Sequence, residues 1–124
     1  MADGRRSRGQ AAEDAAVAYL TALGLRVVER NVRFALGEID AVCRDGDVWV
    51  FVEVKCRRPQ WGDGPAEAVA WQKRRRLVRL AQLYIKWRRL GNVRCRFDVV
   101  AVTVTDDGVA RVRHLAAAFD ASMA

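Results

Sequence analysis

The sequence contains few of the residues that build disulfide frameworks or clustered zinc sites. Its 124 residues include three cysteines, which is an odd number, and one histidine. Cys43, Cys56 and Cys95 lie far apart in apolar stretches and form no C-x-x-C spacing. A disulfide framework and a Cys/His zinc site are therefore not expected. Cysteines that stay reduced indicate a cytoplasmic location.

Long hydrophobic runs are also missing. No apolar stretch reaches the length of about 18 residues that spans a bilayer, and Glu13 and Asp14 interrupt the region where a signal peptide needs an uncharged core. We therefore expect no membrane partner. Acidic residues are outnumbered, because 22 Lys and Arg face 15 Asp and Glu and give a net charge of +7. This excess favours nucleic acid as the partner.

The chain length allows one domain. Residues 1–8 are polar and rich in arginine and are predicted to be a flexible basic N-terminus, and residues 9–124 to form a single domain. Helical spacing runs from Gly9 to a stop at Gly24, and a longer helix is predicted over 66–90, ended by Gly91 and Asn92. Strand-like segments occupy 25–35, 37–44, 48–57, 94–105 and 109–115.

This order of elements predicts an α/β fold. Because a helix between two strands usually crosses over to a neighbouring strand, we expect a central mixed sheet of five strands. The N-terminal helix and the long helix between the third and fourth strands would flank the sheet. His114 follows an alternating strand pattern and is expected at the surface, without a catalytic role.

Two opposite charges interrupt the most apolar strand. The segment 48–55 is apolar except at two positions, Glu53 and Lys55. Period-two alternation places both on one face of the sheet. Buried charges are costly unless they are paired or bind an ion, so this pair marks a candidate site.

The preceding strand supplies another carboxylate. If Asp45-Gly46 forms a two-residue turn, Arg44 pairs with Asp47, and Asp40 becomes a diagonal neighbour of Glu53. A three-residue loop would reverse the parity and send Asp40 to the opposite face. Glu13 lies on or beside the core-facing side of the first helix, which is an unusual place for a free carboxylate.

Carboxylates in such proximity repel one another unless a divalent cation neutralises them. An all-oxygen ligand set selects a hard ion, so Mg²⁺ or Mn²⁺ is the expected cofactor. Such an ion polarises a phosphodiester and activates a bound water, while a nearby lysine ammonium offsets developing charge. The pattern therefore predicts phosphodiester hydrolysis.

The segments Gly37 to Asp40 and Phe51 to Lys55 resemble the motif of the PD-(D/E)xK nuclease superfamily, with Ile39 in place of its proline. With Asn31 to Arg33, Ala66 to Val69, Lys73 and Arg96 to Val100, the chain resembles more closely the YraN-like bacterial proteins, whose function is poorly characterised. The resemblance covers about residues 9–104. It implies a restriction-endonuclease-like core.

The resemblance also implies roles for single residues. Asp40 and Glu53 would be metal ligands, the Val54 carbonyl a further ligand, and Lys55 the catalytic lysine. Archaeal Holliday junction resolvases of this fold add a glutamate on the first helix, and Glu13 matches its position. Glu38 belongs to the YraN-like motif but carries over no role. Resolvase-like relatives pair, so a homodimer is expected by analogy.

Basic residues after the third strand and on the long helix provide a surface for phosphate contacts. The residues assigned to nucleic-acid binding are Arg57, Arg58, Lys73, Arg74, Arg75 and Arg79. The combined prediction is a divalent-metal-dependent endonuclease that acts on structured or branched DNA. Two alternatives stay open: a non-catalytic nucleic-acid-binding module of the same fold, and a protein-interaction domain whose basic helix meets an acidic partner.

Overall fold

The computed structural model describes residues 4–57 and 71–119. In chain order the elements are α1 (Gly4–Ala22), β1 (Arg26–Phe34), β2 (Gly37–Asp45), β3 (Val48–Arg57), α2 (Trp71–Trp87), β4 (Cys95–Thr105) and β5 (Gly108–Phe119). The predicted start of the long helix at Ala66 and the predicted phosphate contact Arg58 lie outside the described residues. Neither helix of the described part is long and apolar enough to cross a membrane.

The strands form one five-stranded mixed sheet in the order β1-β2-β3-β4-β5 within the described ranges. β1, β2 and β3 pair antiparallel, β3 and β4 pair parallel, and β4 and β5 pair antiparallel. The parallel pair needs a crossover, which the segment containing α2 supplies. The predicted α/β fold with a mixed sheet between two helices is confirmed, and it is consistent with a restriction-endonuclease-like fold.

The two helices cover opposite faces of the sheet, and each face has its own apolar core. Ala12, Ala16 and Leu20 of α1 pack with one set of strand residues that includes Val50 and Val52. Leu77, Leu80 and Tyr84 of α2 pack with another set that includes Trp49 and Phe51. Neighbouring residues of β3 thus point to opposite helices, as strand alternation requires. β3 is the central strand and is buried on both sides, which explains its apolar run.

α1 begins at Gly4, earlier than the predicted start at Gly9, so part of the expected flexible tail has helical backbone. Its end agrees with the prediction. Gly24 has a φ of +106°, and the Leu25 N–H donates to the Leu20 carbonyl at 3.0 Å. This is a Schellman end, in which glycine takes the left-handed position.

α2 ends at Trp87, before the predicted Leu90. Arg89 takes the left-handed position directly after the last turn, with a φ of +55°, and Gly91, two residues later, has a φ of +77°. The Leu90 N–H donates to the Ile85 carbonyl at 3.0 Å and closes the last turn. Trp87, the last residue of the helix, is 58% exposed.

The hairpin between β2 and β3 has a two-residue turn, but its position differs from the prediction. Asp45 pairs with Val48, so the turn consists of Gly46 and Asp47, and the predicted pairing of Arg44 with Asp47 is wrong. Gly46 has a φ of +63°, which a tight hairpin turn requires. The parity is nevertheless the predicted one, because the number of turn residues is unchanged.

Pairing between β2 and β3 runs from this turn to Ala41 and Val52. Asp40 and Glu53 are the next residues of the two strands, and Ile39 and Ala41 pack on opposite sides of the sheet, so regular alternation ends at Asp40. The candidate site therefore lies at the far end of the hairpin from its turn.

Candidate metal and phosphate site

Asp40 lies at the end of the paired part of β2. It is half-buried, and its Oδ2 accepts a hydrogen bond from the Val54 N–H at 2.7 Å. Burial is the main reason why the pKa of Asp40 rises from 3.8 to about 7, while the Val54 hydrogen bond acts in the opposite direction. The charges of Glu53, Glu13 and Glu38 raise this pKa further. The site thus disfavours an ionised Asp40 unless a cation is present.

Three carboxylates converge at this place. Glu13 from α1 and Glu38 and Asp40 from β2 each bring one oxygen to within 4.8 Å of the others, and all three side chains are half-buried. Oxygen ligands lie about 2.1 Å from Mg²⁺, so opposite ligands of one ion are about 4 Å apart. A small contraction would therefore let the three residues hold a single hard cation.

Asn31 of β1 connects two of these carboxylates. Its Nδ2 donates to Glu38 Oε2 at 2.8 Å and to Glu13 Oε1 at 3.1 Å. Asn31 has a φ of +53°, in the left-handed region that asparagine tolerates better than most residues. In the sequence, Asn31 stands out only through the resemblance to the YraN-like proteins, and its contacts with the carboxylates were not predicted. It fixes the distance between a helix carboxylate and a strand carboxylate.

Two carboxylates of this triad, Glu13 and Glu38, line an open cleft of about 580 Å³. Its other lining residues are Asn31, Arg30, Arg33, Gly9 and Gln10. Arg33 Nε lies 3.3 Å from Glu38 Oε1, and the Arg33 side chain is 81% exposed. Arg30 binds Asp14 at 2.8 Å and ties β1 to α1. Cationic side chains therefore border the carboxylates on the β1 side.

Glu53 lies on the other side of Asp40. It is half-buried, and its charge raises the pKa of Asp40 more than those of the other two glutamates. Among the described residues, however, the triad that converges is Glu13, Glu38 and Asp40. Glu38, which had no predicted role, is thus part of the acidic cluster, and Glu53 borders it.

Lys55 is half-buried on β3, two residues after Glu53. Strand alternation puts the two side chains on the same face of the sheet. The Val54 N–H binds Asp40, whereas the predicted role of the Val54 carbonyl as a ligand stays a prediction.

The predicted phosphate-binding residues lie at the end of β3 and along α2. Arg57 and Arg74 are half-buried, Arg75 and Arg79 are exposed, and Lys73 lies in the first turn of α2. Arg75 and Arg79 line a cleft of about 250 Å³ with Leu36 and Arg76. Arg76 was not among the predicted residues.

His114 is not the surface residue that was expected. Its side chain is 6% exposed, and its Nε2 lies 2.8 Å from Oδ2 of Asp98, which is fully buried. Asp98 also accepts hydrogen bonds from Arg96 Nε at 3.1 Å and from the Ala117 N–H at 2.9 Å. A buried carboxylate needs hydrogen-bond partners, and His114 lies in the interior as one of the partners of Asp98.

The fold and this site define a class: an α/β domain with a carboxylate cluster at the end of a central hairpin, consistent with the PD-(D/E)xK nuclease-like proteins. Residues 12–102 match the profile of a family described as uncharacterised protein family UPF0102. The chain belongs to this family, the YraN-like proteins.

Relatives match over most of their length. A UPF0102 protein of Symbiobacterium thermophilum is 52% identical over 118 residues, which cover 94% of this chain and 98% of the relative. One of Anaeromyxobacter dehalogenans is 46% identical over 118 residues, covering 95% and 87%. One of Moorella thermoacetica is 47% identical over 116 residues, covering 93% and 97%. Their names state the family and no activity.

Proposed function

We propose that this protein is a divalent-metal-dependent nuclease that acts on structured or branched DNA, with Mg²⁺ or Mn²⁺ as its cofactor. The observation that carries the proposal is the convergence of Glu13, Glu38 and Asp40 beside Glu53. A chain with a net charge of +7 gathers four carboxylates where they repel one another. A bound cation gives this arrangement a favourable energy.

The three converging residues fit a hard cation, because each offers a carboxylate oxygen as a metal ligand from a half-buried position. Glu13, Glu38 and Asp40 would hold the ion, and Glu53 would complete the site from β3. When bound, the metal would polarise the phosphodiester and lower the pKa of a water molecule. The Val54 N–H keeps the Asp40 carboxylate in place through the 2.7 Å hydrogen bond.

Lys55 supports the same chemistry from the protein side. It shares a face of β3 with Glu53, so its ammonium group would face the phosphate that the acidic residues receive. In that position it orients the attacking water or offsets negative charge that builds on the phosphate. Arg75 and Arg79, both exposed on α2, would bind neighbouring phosphates and hold the nucleic acid without reading its bases.

Cleavage assays test the proposal. Labelled four-way junctions, linear duplexes, single strands and RNA are incubated with Mg²⁺ or Mn²⁺, and EDTA serves as the negative control. We expect junctions to be cut fastest. Glu53→Ala and Lys55→Ala should each lower the rate by about 10²- to 10⁴-fold, the range seen when a catalytic or electrostatic group is removed.

Asp47→Ala is a matched control, because Asp47 is exposed in the hairpin turn, at the opposite end of β2 and β3 from the acidic cluster. It should cut at the wild-type rate. Cleavage that survives both Glu53→Ala and Lys55→Ala contradicts the mechanism. Salt-dependent binding of DNA without metal-dependent cutting contradicts nuclease activity and leaves a binding module.

A further inference from the structure

Arg76 lies on the exposed side of α2, where two clefts meet. The first cleft, about 130 Å³, is lined by Glu38 and Glu53 together with Arg76, and Leu77 and Leu80 form its apolar part. The second cleft contains Arg75, Arg79 and Leu36. Arg76 therefore connects the acidic residues to the basic face of α2.

The aliphatic stem of Arg76 lies close to the start of β2. A Cβ atom on Gly37 would lie 3.4 Å from Arg76 Cδ and 3.5 Å from Leu80 Cδ1, so the stem rests against the backbone at the start of β2. Glu38 is the next residue. The exposed Arg76 side chain thus lines the same cleft as Glu38 and Glu53.

The guanidinium group makes no hydrogen bond or salt bridge with any residue of the described ranges. Arg33, on the β1 side, lies 3.3 Å from Glu38, so the same carboxylate already has a cationic neighbour. An arginine that lines a cleft with two glutamates without pairing with either keeps its donors for another anion. The planar group with five donors matches phosphate oxygens in a bidentate manner.

We propose that Arg76 binds the backbone phosphate next to the one that occupies the acidic site, and that the nucleic-acid strand continues over Gly37 toward Arg79. This inference rests on the proposed function, since it takes nucleic acid as the ligand. Leu36, which is 40% exposed, would contact sugar carbons along the same path. The strand would therefore leave the acidic site on the α2 side of the sheet.

Binding measurements with a labelled four-way junction test the inference. Fluorescence anisotropy is recorded in EDTA, where no cleavage occurs, over a series of NaCl concentrations. The control for Arg76→Ala is Arg26→Ala, which removes the same charge from an exposed position. Arg26 is the first residue of β1 and pairs with Arg44 of β2. Circular dichroism verifies that both variants are folded.

We expect Arg76→Ala to weaken binding about tenfold and to reduce the slope of log affinity against log salt by about one, as loss of one phosphate contact does. Arg76→Lys should recover only part of the affinity, because lysine keeps the charge but not the bidentate geometry. In cleavage assays KM should rise and kcat should change little, because this contact is made in the ground state and in the transition state.

Failure of this inference differs from failure of the proposed function. If the wild-type protein binds and cuts DNA while Arg76→Ala and Arg26→Ala have equal affinities and salt slopes, Arg76 is not a phosphate contact, and the nuclease proposal stands. A lowered Mn²⁺ affinity of Arg76→Ala in calorimetry would also overturn the inference, because loss of a nearby positive charge alone raises that affinity, and a fall would mean that Arg76 acts through the carboxylates. A wild-type protein that neither binds nor cuts overturns both.

Discussion

The replacement Asp40→Asn gives a quantitative test of the acidic site in the absence of metal. The pKa of Asp40 rises from 3.8 to about 7, mainly because of burial. Each pKa unit corresponds to about 1.4 kcal/mol, so ionising this carboxyl group in the folded protein costs about 4 kcal/mol relative to the unfolded chain. A folded domain has a free energy of unfolding of only about 5–15 kcal/mol.

The sign of the effect follows from proton binding. Between pH 4 and pH 7 the folded state holds a proton on Asp40 that the unfolded state has lost. Stability due to this group therefore falls as pH rises through that window, and the loss is complete above about pH 7. Asparagine cannot ionise, and its side-chain oxygen still accepts a hydrogen bond, as Asp40 does from Val54.

Urea unfolding in EDTA at pH 4.5 and pH 8 measures this difference. Between pH 4.5 and pH 8 the free energy of unfolding of the wild-type protein should fall by about 3–4 kcal/mol more than that of Asp40→Asn. Mn²⁺ at a hundredfold excess over its Kd should stabilise the wild-type protein at pH 8 by about 2.7 kcal/mol and leave the variant unchanged. Equal pH dependence of the two proteins in EDTA would refute burial of an ionisable Asp40 among other carboxylates.

Two further predictions concern residues that hold others in place. Asn31→Gly keeps the left-handed backbone but removes the amide that binds Glu13 and Glu38. The affinity for Mn²⁺, measured by calorimetry, should therefore fall about 10- to 100-fold. An unchanged affinity would show that the carboxylates do not need the Asn31 amide. Asp98→Ala leaves the partners of a fully buried carboxylate unpaired and should lower the urea unfolding free energy by about 3–5 kcal/mol. The control Asp106→Ala, in an exposed turn, should change the free energy of unfolding by less than about 0.5 kcal/mol. Equal losses in the two variants would contradict the structural role of Asp98.

The predicted parts of the fold depend on local sequence patterns. Apolar spacing identified both helices and the five strands, because burial of one face repeats with the period of the element. The ends were less accurate. Arg89 adopts a left-handed φ that glycine would have been expected to take, since the packing of α2 decides where its last turn stops.

The acidic site was predictable in its residue types and only in part in its geometry. The apolar surroundings of Glu53 and Lys55 marked β3, but regular alternation ends at Asp40, whose neighbours Ile39 and Ala41 pack in opposite cores. The structure adds Glu38 to the cluster. The hairpin register differs from the predicted one by two residues, so spacing alone could not assign Glu38 a role.

The burial of polar groups also could not be predicted from the spacing of apolar residues in the sequence. Asp98 reads as one charge in an apolar strand, and His114 as the end of another, yet their side chains meet at 2.8 Å in the interior. Their meeting depends on the pairing of β4 with β5, where His114 lies opposite Val100. Such contacts join residues that no short window contains.

The sequence by itself determined the order of the elements, the two apolar faces of the central strand and the charge types at the site, because each of these is encoded in spacing along a few neighbouring residues. Only the tertiary structure decided which carboxylates converge, that Asn31 links a helix to a strand, and that Arg76 lies beside them. These relations depend on how separate segments pack in space, where differences of a few ångströms in register and helix position select the contacts.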